Sequence, residues 1–444
     1  MSNIPPSAET GSIPRLDPAP LADPTPEGPE SSRGLSGLRR RLPAALQNPV
    51  LRVLIASTFV HTLGRGVFLT VTVLYFSLIV GLNAAEVAVV LTAASAVGVA
   101  TSFLGGFLAD RLSARLLSII AAAGSGLALM AYTLADSFVT TLVIACIVDG
   151  LMSAEHAIRG AIIARAFTGT ERVSARAILR TVTNIGIAVG SGAGGIALLI
   201  STPEAYRWTM LGAGAITAAS ALLLAKLPTT VDAHRPSAGE TAERLSGLSP
   251  WRNPRYLAFT TLSGIFAIQF AVFEIGVPLW IIHDTDAPPA VVALLTFINT
   301  ALVIAFQIPL SRGTHDMRYA GRVSFVAGIL MAGACVLYFT ASLTAAVATV
   351  VVLLVALVLH SFAEILSSAS SWGLSFELAD QRLAGSYQGV YSMGYSLGTM
   401  VAPLIVTGLA VTHGLWGWLG LAALFVASAS GITLIASRAA SRTP

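Results

Sequence analysis

Between two long apolar runs the chain reads Gly105-Gly106-Phe107-Leu108-Ala109-Asp110-Arg111-Leu112-Ser113-Ala114-Arg115. This stretch places one acid and two arginines in a tight turn. Charged residues between long apolar runs are typical of a loop where a membrane-spanning chain returns to water. The stretch therefore predicts a short loop that joins two membrane spans, and it sets how the rest of the chain is interpreted.

The composition agrees with a membrane protein. Hydrophobic residues make up 55% of the chain and charged residues only 11%, whereas a soluble domain carries about a quarter charged residues. An apolar run of about 20 residues spans a bilayer as a helix. The runs here are long and continuous, unlike the short alternating segments of a membrane β-barrel. We therefore predict an all-α membrane protein.

Twelve spans are predicted, in two sets of six. The first set is Leu51–Val80, Ala85–Ala109, Leu116–Ala135, Thr140–Phe167, Ala175–Ile200 and Trp208–Ala225. The second set is Tyr256–Ile282, Val291–Leu310, Ala320–Leu343, Ala345–Glu377, Ala384–Thr412 and Leu415–Ser437. A hydrophilic stretch separates the two sets. The pattern predicts two six-helix pseudo-repeats.

The remaining segments complete the predicted organisation. Residues 1–48 are rich in Pro, Ser and Glu and lack the apolar core of a signal peptide, so they predict a disordered cytoplasmic tail. A first six-helix bundle follows over 49–226, then a cytoplasmic linker over 227–255 and a second bundle over 256–437. Residues 438–444 are predicted to form a second cytoplasmic tail.

The positive charges predict the orientation. If the amino terminus is cytoplasmic, Arg207 is the only arginine or lysine that falls in an outer loop. Four acids lie in the outer loops, at Asp136, Glu204, Asp284 and Asp286. Loops rich in Lys and Arg remain in the cytoplasm. We therefore expect a multi-pass protein of the cell membrane with both termini in the cytoplasm.

A weak internal repeat supports the two sets. Gly186 and Gly190 in span five match Gly394 and Gly398 in span eleven at one constant offset. Parallel repeats of this kind occur in transporters.

The loop resembles a known signature. The residues Gly106-x-Leu108-Ala109-Asp110-Arg111, with Arg115 beyond them, resemble the loop between spans two and three of the major facilitator superfamily. The resemblance implies a gating loop in which the Asp accepts hydrogen bonds from the amino terminus of a neighbouring helix. Ser113 and Ala114 stand where that family usually carries a Gly and a basic residue.

Span five also resembles a signature of that superfamily, the one found in drug:proton antiporters. Gly186, Gly190, Gly194 and Gly195 match it, but Ser191 stands in place of its proline. The same glycines also fit simple helix packing through small residues, so both interpretations remain open. The stretch Gly385–Gly389 before span eleven is similar to drug-efflux members as well. The resemblance favours export.

Charges inside the spans are the best functional pointers, because each costs at least about 2.5–3.5 kcal/mol to insert. In the first set these are Arg65, Asp149, Glu155, Arg159 and Arg180. Spans one, four and five are neighbours in the resembled fold, so Arg65 and Arg180 are expected to face Asp149 or Glu155. Arg159 and Arg180 are the ion-pair candidates, either as permanent structural pairs or as pairs that titrate during transport. Arg65 is the candidate counter-charge or anion contact at the centre.

The second set adds a carboxylate beside an imidazole. His360 and Glu364 are four residues apart and share a helix face, so they predict either a proton carrier or two groups that satisfy each other. Glu274 in span seven is a further acid. Three neighbours of Glu274 are candidates to line a substrate cavity: Gln269, Phe270 and Phe273.

Several function classes are excluded or disfavoured. The sequence has no Walker A motif, zinc motif, nucleophile elbow or dinucleotide fingerprint, and its basic residues are not interleaved with aromatics as in nucleic-acid binders. We predict no enzyme activity, metal or cofactor. The predicted function is a secondary transporter, a proton-coupled exporter of small drug-like or natural-product-like molecules that works by alternating access. An uptake carrier for a polar or anionic solute and a membrane sensor that transports nothing are the alternatives.

The predicted roles follow from these assignments. Proton coupling is assigned to Asp149, Glu155, Glu274, His360 and Glu364, and the substrate cavity to Arg65, Gln269, Phe270 and Phe273. The expected partners are the substrate, protons and the lipid bilayer, and the resemblance implies a monomer.

Overall fold

Twelve helices long and apolar enough to cross a membrane make up most of the computed structural model, which describes residues 47–232, 248–345 and 347–441. They are α1 (Pro49–Val80), α2 (Ala84–Ala109), α3 (Ala114–Leu134), α4 (Phe138–Ala166), α5 (Gly169–Ile200), α6 (Pro203–Leu224), α7 (Pro254–Asp284), α8 (Ala290–Leu310), α9 (Met317–Ala341), α10 (Val347–Glu377), α11 (Gln381–Ala410) and α12 (Thr412–Ala440). The described residues contain no strand. The prediction of an all-α membrane protein with twelve spans is confirmed.

The helix ends follow local sequence signals. Asn83 and Glu86 form a reciprocal capping box at the start of α2, in which each side chain accepts a hydrogen bond from the other residue's backbone N–H. Ser113 caps α3 through the Leu116 N–H. The predicted spans agree with the helices to within a few residues. The largest difference is at α5, which begins at Gly169 rather than Ala175 because its polar first turns extend beyond the apolar run.

The internal repeat is visible in the packing. Gly186 and Gly190 of α5 lie against α1, where a Cβ on either glycine would clash with Thr62 or with the Leu63 carbonyl. Gly394 and Gly398 of α11 lie against α7 in the same way. The fifth helix of each set therefore packs on the first helix of that set through small residues.

The two sets of helices meet at one end of the molecule. We call this the loop end, because it carries the Asp110 loop, and we call the other the far end. At the loop end, one buried apolar cluster joins Leu54 of α1 and Ala109 of α2 to Phe376 of α10 and Ala384 of α11. Elsewhere, separate clusters form within α1–α6 and within α7–α12. The two sets are thus in contact at the loop end. We call the space between them, where the mid-span residues Arg65 and Glu274 are exposed within electrostatic range of each other, the cleft.

α7 is not the continuous helix that the sequence predicts. Its first segment ends at Phe266, and a wide π-helical turn follows over Val272–Gly276. In that turn the Val277 N–H donates a hydrogen bond to the Val272 carbonyl oxygen, five residues earlier in the chain. Such π-turns are frequent at functional sites, and this one carries Glu274.

Two predicted segments lie mostly outside the described residues. These are the amino-terminal tail over 1–48, of which 47 and 48 are described, and the linker over 227–255, of which 233–247 are not described. Helix α12 continues to Ala440, so the predicted tail over 438–444 begins with helical residues.

Candidate functional site

An ion pair crosses the cleft near the middle of the helices. The Arg180 guanidinium on α5 donates a hydrogen bond of 3.0 Å to Oε1 of Glu364 on α10. The side chain of Glu364 is only 7% exposed and that of Arg180 is 27% exposed. The Arg180 guanidinium also lies 5.3 Å from the ring centre of Phe270 on α7. Arg180 therefore joins the first set of helices to two helices of the second set.

The second oxygen of Glu364 has its own partner. The Asn299 amide on α8 donates to Oε2 of Glu364 at 3.2 Å and to the Ser361 hydroxyl at 3.0 Å. Three helices thus converge on this one buried carboxylate. The sequence did not single out Asn299, because an amide within an apolar helix carries no charge signal.

These contacts correct the expected pairing of Arg180. We expected it beside Asp149 or Glu155 in its own set, but its partner is Glu364 in the other set. The two sets of helices meet face to face here, and contacts between the sets cannot be predicted from the neighbours within one set.

The expected pairing of His360 with Glu364 is also absent. The two residues share a helix, but the His360 ring is buried against Phe273, at 5.6 Å between ring centres. Its Nδ1 atom lies 3.4 Å from the Tyr338 hydroxyl. A spacing of four residues on a helix permits two side chains to touch. Here His360 contacts Tyr338 and Glu364 contacts Arg180, each on another helix.

The first set holds a pair within α4. The Arg159 guanidinium donates to Oε1 of Glu155 one turn earlier, with an Nε–Oε1 distance of 3.1 Å. It also donates to the Thr58 hydroxyl of α1 at 2.8 Å. Both ion-pair candidates from the sequence, Arg159 and Arg180, therefore do form ion pairs, one within a helix and one across the cleft.

Three central charges have no ion pair within 4 Å among the described residues: Arg65, Asp149 and Glu274. The side chains of Arg65 and Glu274 are exposed although both lie mid-span. Arg65 is within electrostatic range of Asp149 and of Glu274. Asp149 lies against Gly98 of α2, where the missing side chain makes room for its carboxylate. These groups supply one open positive charge and two acids to the cleft.

The remaining cavity candidates all lie on α7. Gln269 is buried and donates to the Ser367 hydroxyl of α10 at 2.9 Å, so it holds helices together rather than facing the cleft. Phe270 packs edge-on against Tyr395 of α11 at 5.9 Å between ring centres. Phe273 faces His360. Tyr395 is thus a further aromatic residue at the site, and the sequence did not single it out.

At the loop end, Asp110 accepts hydrogen bonds from the start of α11. Its carboxylate receives the backbone N–H groups of Gly385 at 2.7 Å and Ser386 at 2.6 Å, and the Ser386 hydroxyl at 2.6 Å. Arg165 at the end of α4 donates to the same carboxylate at 2.7 Å. An acid at a helix amino terminus is stabilised by the unpaired N–H groups there. This contact has the form that the loop resemblance implies.

The other loop residues hold the loop itself. Arg111 stacks 3.4 Å from the ring centre of Phe107, one turn earlier. Arg115 donates through its backbone N–H to Asp232, which also accepts from the Ser113 hydroxyl at 2.8 Å. Ser113, which departs from the family pattern, is therefore used as a helix cap and as an anchor for the chain that follows α6.

Glycines let α2 and α11 touch at this end. A Cβ on Gly106 would meet backbone atoms of Gly385 and Gly389, and a Cβ on Gly385 would meet Asp110. Phe103 of α2 also packs against Trp251, just before α7, at 5.2 Å between ring centres. The loop end is thus closed by backbone contact between the two sets.

The segment before α7 is tied to α11. The Asp380 carboxylate accepts the Leu248 N–H at 3.2 Å and also binds Arg382. Partial burial opposes ionisation of Asp380, but hydrogen bonds from Arg382 and Leu248 outweigh it and hold the pKa of that carboxyl below its usual value. The Tyr387 hydroxyl donates to the Leu248 carbonyl at 2.9 Å.

No group of three or more His, Cys, Asp or Glu residues that could hold a metal ion occurs within the described ranges 47–232, 248–345 and 347–441.

The fold and the cleft define a class of membrane transporter. The chain belongs to the Major Facilitator Superfamily, whose family model matches residues 54–403. It is 24% identical over 374 residues to an uncharacterised MFS-type transporter, YdeE, of Escherichia coli (strain K12), covering 81% of this chain and 88% of that protein.

Two solved structures share the fold. The human organic anion transporter MFSD10 (TETRAN) matches with a TM-score of 0.66 at 14% identity, over 86% of this chain and 99% of that chain. The proton:xylose symporter XylE, bound to 6-bromo-6-deoxy-D-glucose, matches with a TM-score of 0.62 at 12% identity, over 86% and 94%.

Proposed function

We propose that this transporter is a proton-coupled exporter of small organic molecules, and that Glu364 is its principal proton carrier. The observation that carries the proposal is the ion pair between Arg180 and Glu364, which joins the two sets of helices across the cleft. Protonation of Glu364 would remove the negative charge from this link. The state of one proton would then influence whether the two sets stay together, which is what coupling in alternating access requires.

The other charges have supporting roles in this proposal. Glu274 is exposed in the cleft and within electrostatic range of both Arg180 and Glu364, so a proton that enters the cleft reaches it before the buried carboxylate. Asp149 is a second acid on the opposite wall. Glu155 is already bound by Arg159 and His360 is held by aromatic residues, so both are weaker candidates. Phe270 and Tyr395 offer aromatic faces to an organic substrate.

The charge bias of the loops gives the proposed cycle its orientation. It predicts a cytoplasmic loop end, so the structure would be closed toward the cytoplasm by the contact between α2 and α11. Protons from outside would then enter the cleft, protonate Glu364 and favour opening at the loop end. A substrate taken up from the cytoplasm would leave after the pair re-forms.

Everted membrane vesicles test this proposal. Their interior is acidified by respiration, and compounds are added one at a time while a pH-sensitive dye reports the gradient. We expect at least one compound to drive proton release from vesicles that contain the wild-type protein. The Glu364→Gln variant should lose this release at unchanged expression, and the exposed matched control Glu204→Gln should keep it. Unchanged release in Glu364→Gln would remove Glu364 from the coupling role.

Arg65 favours a second candidate function, proton-coupled uptake of a polar or anionic solute. Its guanidinium is exposed in the middle of α1, where an anionic group could bind it. Uptake would make solute entry depend on an inward proton gradient in right-side-out vesicles. In that case Arg65→Gln should abolish solute entry, while Arg52→Gln, an exposed arginine at the start of α1, should not. Compound-driven proton release in everted vesicles, together with no gradient-dependent solute entry in right-side-out vesicles, would count against this candidate.

A further inference from the structure

One buried arginine at the loop end has no acid beside it. Arg176 lies on α5, one turn after Arg172 and one turn before Arg180, and it is only 8% exposed. Its Nη1 atom is buried without a hydrogen-bond partner among the described residues, and it takes part in none of the ion pairs found there. An arginine side chain stays protonated in proteins. The loop end therefore buries a positive charge that no described carboxylate contacts.

Aromatic rings of the second set face this guanidinium. Its Cζ atom lies 5.3 Å from the ring centre of Phe376 on α10 and 5.6 Å from that of Tyr391 on α11. On the side of the first set, a Cβ on Gly160 of α4 would lie 3.0 Å from its Nη2 atom, so the guanidinium packs directly against this glycine. Arg159, also on α4, is within electrostatic range and repels it. The charge is thus enclosed between the two sets by neutral rings and a second cation.

Arg172, one turn earlier on the same helix, has the ordinary partners of an arginine. Its Nε atom donates to the Phe167 carbonyl at 2.7 Å, and its Nη2 atom donates to the side-chain oxygen of Gln381 on α11 at 2.9 Å. It lies near the same ring of Phe376, at 5.9 Å. Arg172 therefore ties the two sets together by a hydrogen bond, whereas Arg176 crosses the same interface through ring contacts.

We propose that Arg176 is an opening element of the loop end: its unpaired charge destabilises the closed arrangement that buries it, so that the contact between the two sets stays reversible. This inference rests on the alternating access of the proposed function, in which the loop end opens and closes. Its role is opposite to that of Arg172 and of Asp110, which hold the two sets together at this end.

The sign of the effect follows from two opposing contributions. Removing an ion from water without giving it a counter-charge costs more free energy than a contact with an aromatic face returns. When the two sets separate at the loop end, water reaches the guanidinium and the cost disappears. The cost therefore falls on the closed arrangement alone, and it shifts the balance toward opening.

A buried cysteine at the contact between α2 and α11 measures this balance. Ser102 on α2 is 1% exposed, and its hydroxyl oxygen lies 3.4 Å from that of Ser396 on α11. A cysteine placed there by Ser102→Cys should react with a water-soluble maleimide only when the two helices separate. The labelling rate is measured on the full chain in lipid nanodiscs, in a background without Cys146 and Cys335, with neither substrate nor proton gradient.

Arg176→Met replaces the charge with an apolar side chain, and we expect it to slow labelling about tenfold. Arg176→Lys keeps a positive charge at the same place, so its labelling rate should stay close to that of the reporter protein. The matched control is Arg172→Met, which removes a hydrogen-bonded arginine from the same helix. It should label faster, because a tie across the closed loop end is lost.

The outcomes decide the role of Arg176. Slower labelling in Arg176→Met but not in Arg176→Lys, with faster labelling in Arg172→Met, supports the proposal. Unchanged or faster labelling in Arg176→Met, or equal slowing in Arg176→Lys, overturns it.

A second measurement is thermal unfolding of the same proteins in mild detergent. The midpoint of Arg176→Met should not fall below that of the reporter protein, since an apolar side chain replaces a buried unpaired charge. A lower midpoint would show that the charge stabilises the closed protein and would also overturn the proposal. Arg176→Gln is a second neutral variant with the same expected slowing. Neither measurement uses transport, so failure of proton-coupled export would overturn the proposed function and leave the result for Arg176 intact.

Discussion

Arg180 on α5 and Glu364 on α10 are joined by a hydrogen bond of 3.0 Å that connects the first six helices to the second six. Buried ion pairs contribute little net stability, because the cost of removing two charges from water offsets their attraction. Breaking such a pair from one side is costly, because the remaining charge is left without a partner. The pair is therefore suited to specify one arrangement of the two sets rather than to stabilise the protein in general.

Neutralising one partner should destabilise the protein more than neutralising both. We expect Arg180→Gln to lower the unfolding midpoint because the nearly buried Glu364 carboxylate loses its cation. The double variant Arg180→Gln/Glu364→Gln should recover part of this loss, with a coupling energy of about 0.5–3 kcal/mol. Thermal unfolding in mild detergent measures the four proteins of the cycle. Strict additivity of the two single effects would show that the pair makes no energetic contribution.

Gly106→Ala should loosen the loop end. The added Cβ would meet the backbone of Gly385 and Gly389 on α11, which cannot move aside as a side chain would. We expect the distance between spin labels at Leu112 and Glu377 to lengthen or broaden, in a background without Cys146 and Cys335. The matched control is Gly192→Ala on α5, where a Cβ meets nothing within 4 Å. Equal distance distributions in both variants would contradict closure of the loop end by the contact between α2 and α11.

Gly98→Ala should push the Asp149 carboxylate toward the cleft. A Cβ at position 98 would meet the Asp149 side chain, and also the Ser153 hydroxyl oxygen at 2.8 Å. The carboxylate should therefore react faster with a water-soluble carbodiimide, with a several-fold rise in labelling of the Asp149 peptide by mass spectrometry. Gly212→Ala on α6, whose Cβ would have open space, should leave labelling unchanged. A drop in labelling would mean that Asp149 moves away from the cleft instead.

Acid should release the segment before α7. The pKa of Asp380 is held below its usual value of about 3.9, so its hydrogen bonds are present above that value and lost as pH falls through the lowered pKa. We expect the Leu248 amide, which donates to Asp380, to be protected from hydrogen exchange at neutral pH. Asp380→Ala, which removes both acceptor oxygens, should reduce this protection at neutral pH. An amide that exchanges at the same rate in both proteins would contradict the anchoring role.

Much of the architecture was predictable from local sequence. Apolar run length is a local property, and it predicted the twelve helices with ends close to those observed. The glycine repeat predicted which helices are equivalent, and Gly186 and Gly394 do occupy equivalent contacts on α1 and α7. The irregular turn around Glu274 was not predicted, because hydropathy does not distinguish a π-turn from an α-helix.

The site was only partly predictable. Charged residues within apolar runs stand out by their insertion cost, so Arg65, Glu274 and Glu364 were identified from the sequence. Asn299 and Tyr395 were not, because neutral polar and aromatic residues are common in membrane helices. Arg165 could have been found as a basic residue at the end of span four, on the same side of the membrane as Asp110.

The sequence by itself determined the number of helices, their ends, the charged loop and which charges lie within the membrane, since each depends on residues near one another in the chain. Tertiary structure alone decided the partners of those charges. Glu364 is bound by Arg180, 184 positions earlier in the chain, and by Asn299, 65 positions earlier. Such contacts depend on how two six-helix sets face each other, and periodicity along one helix carries no information about the helix that lies across the cleft.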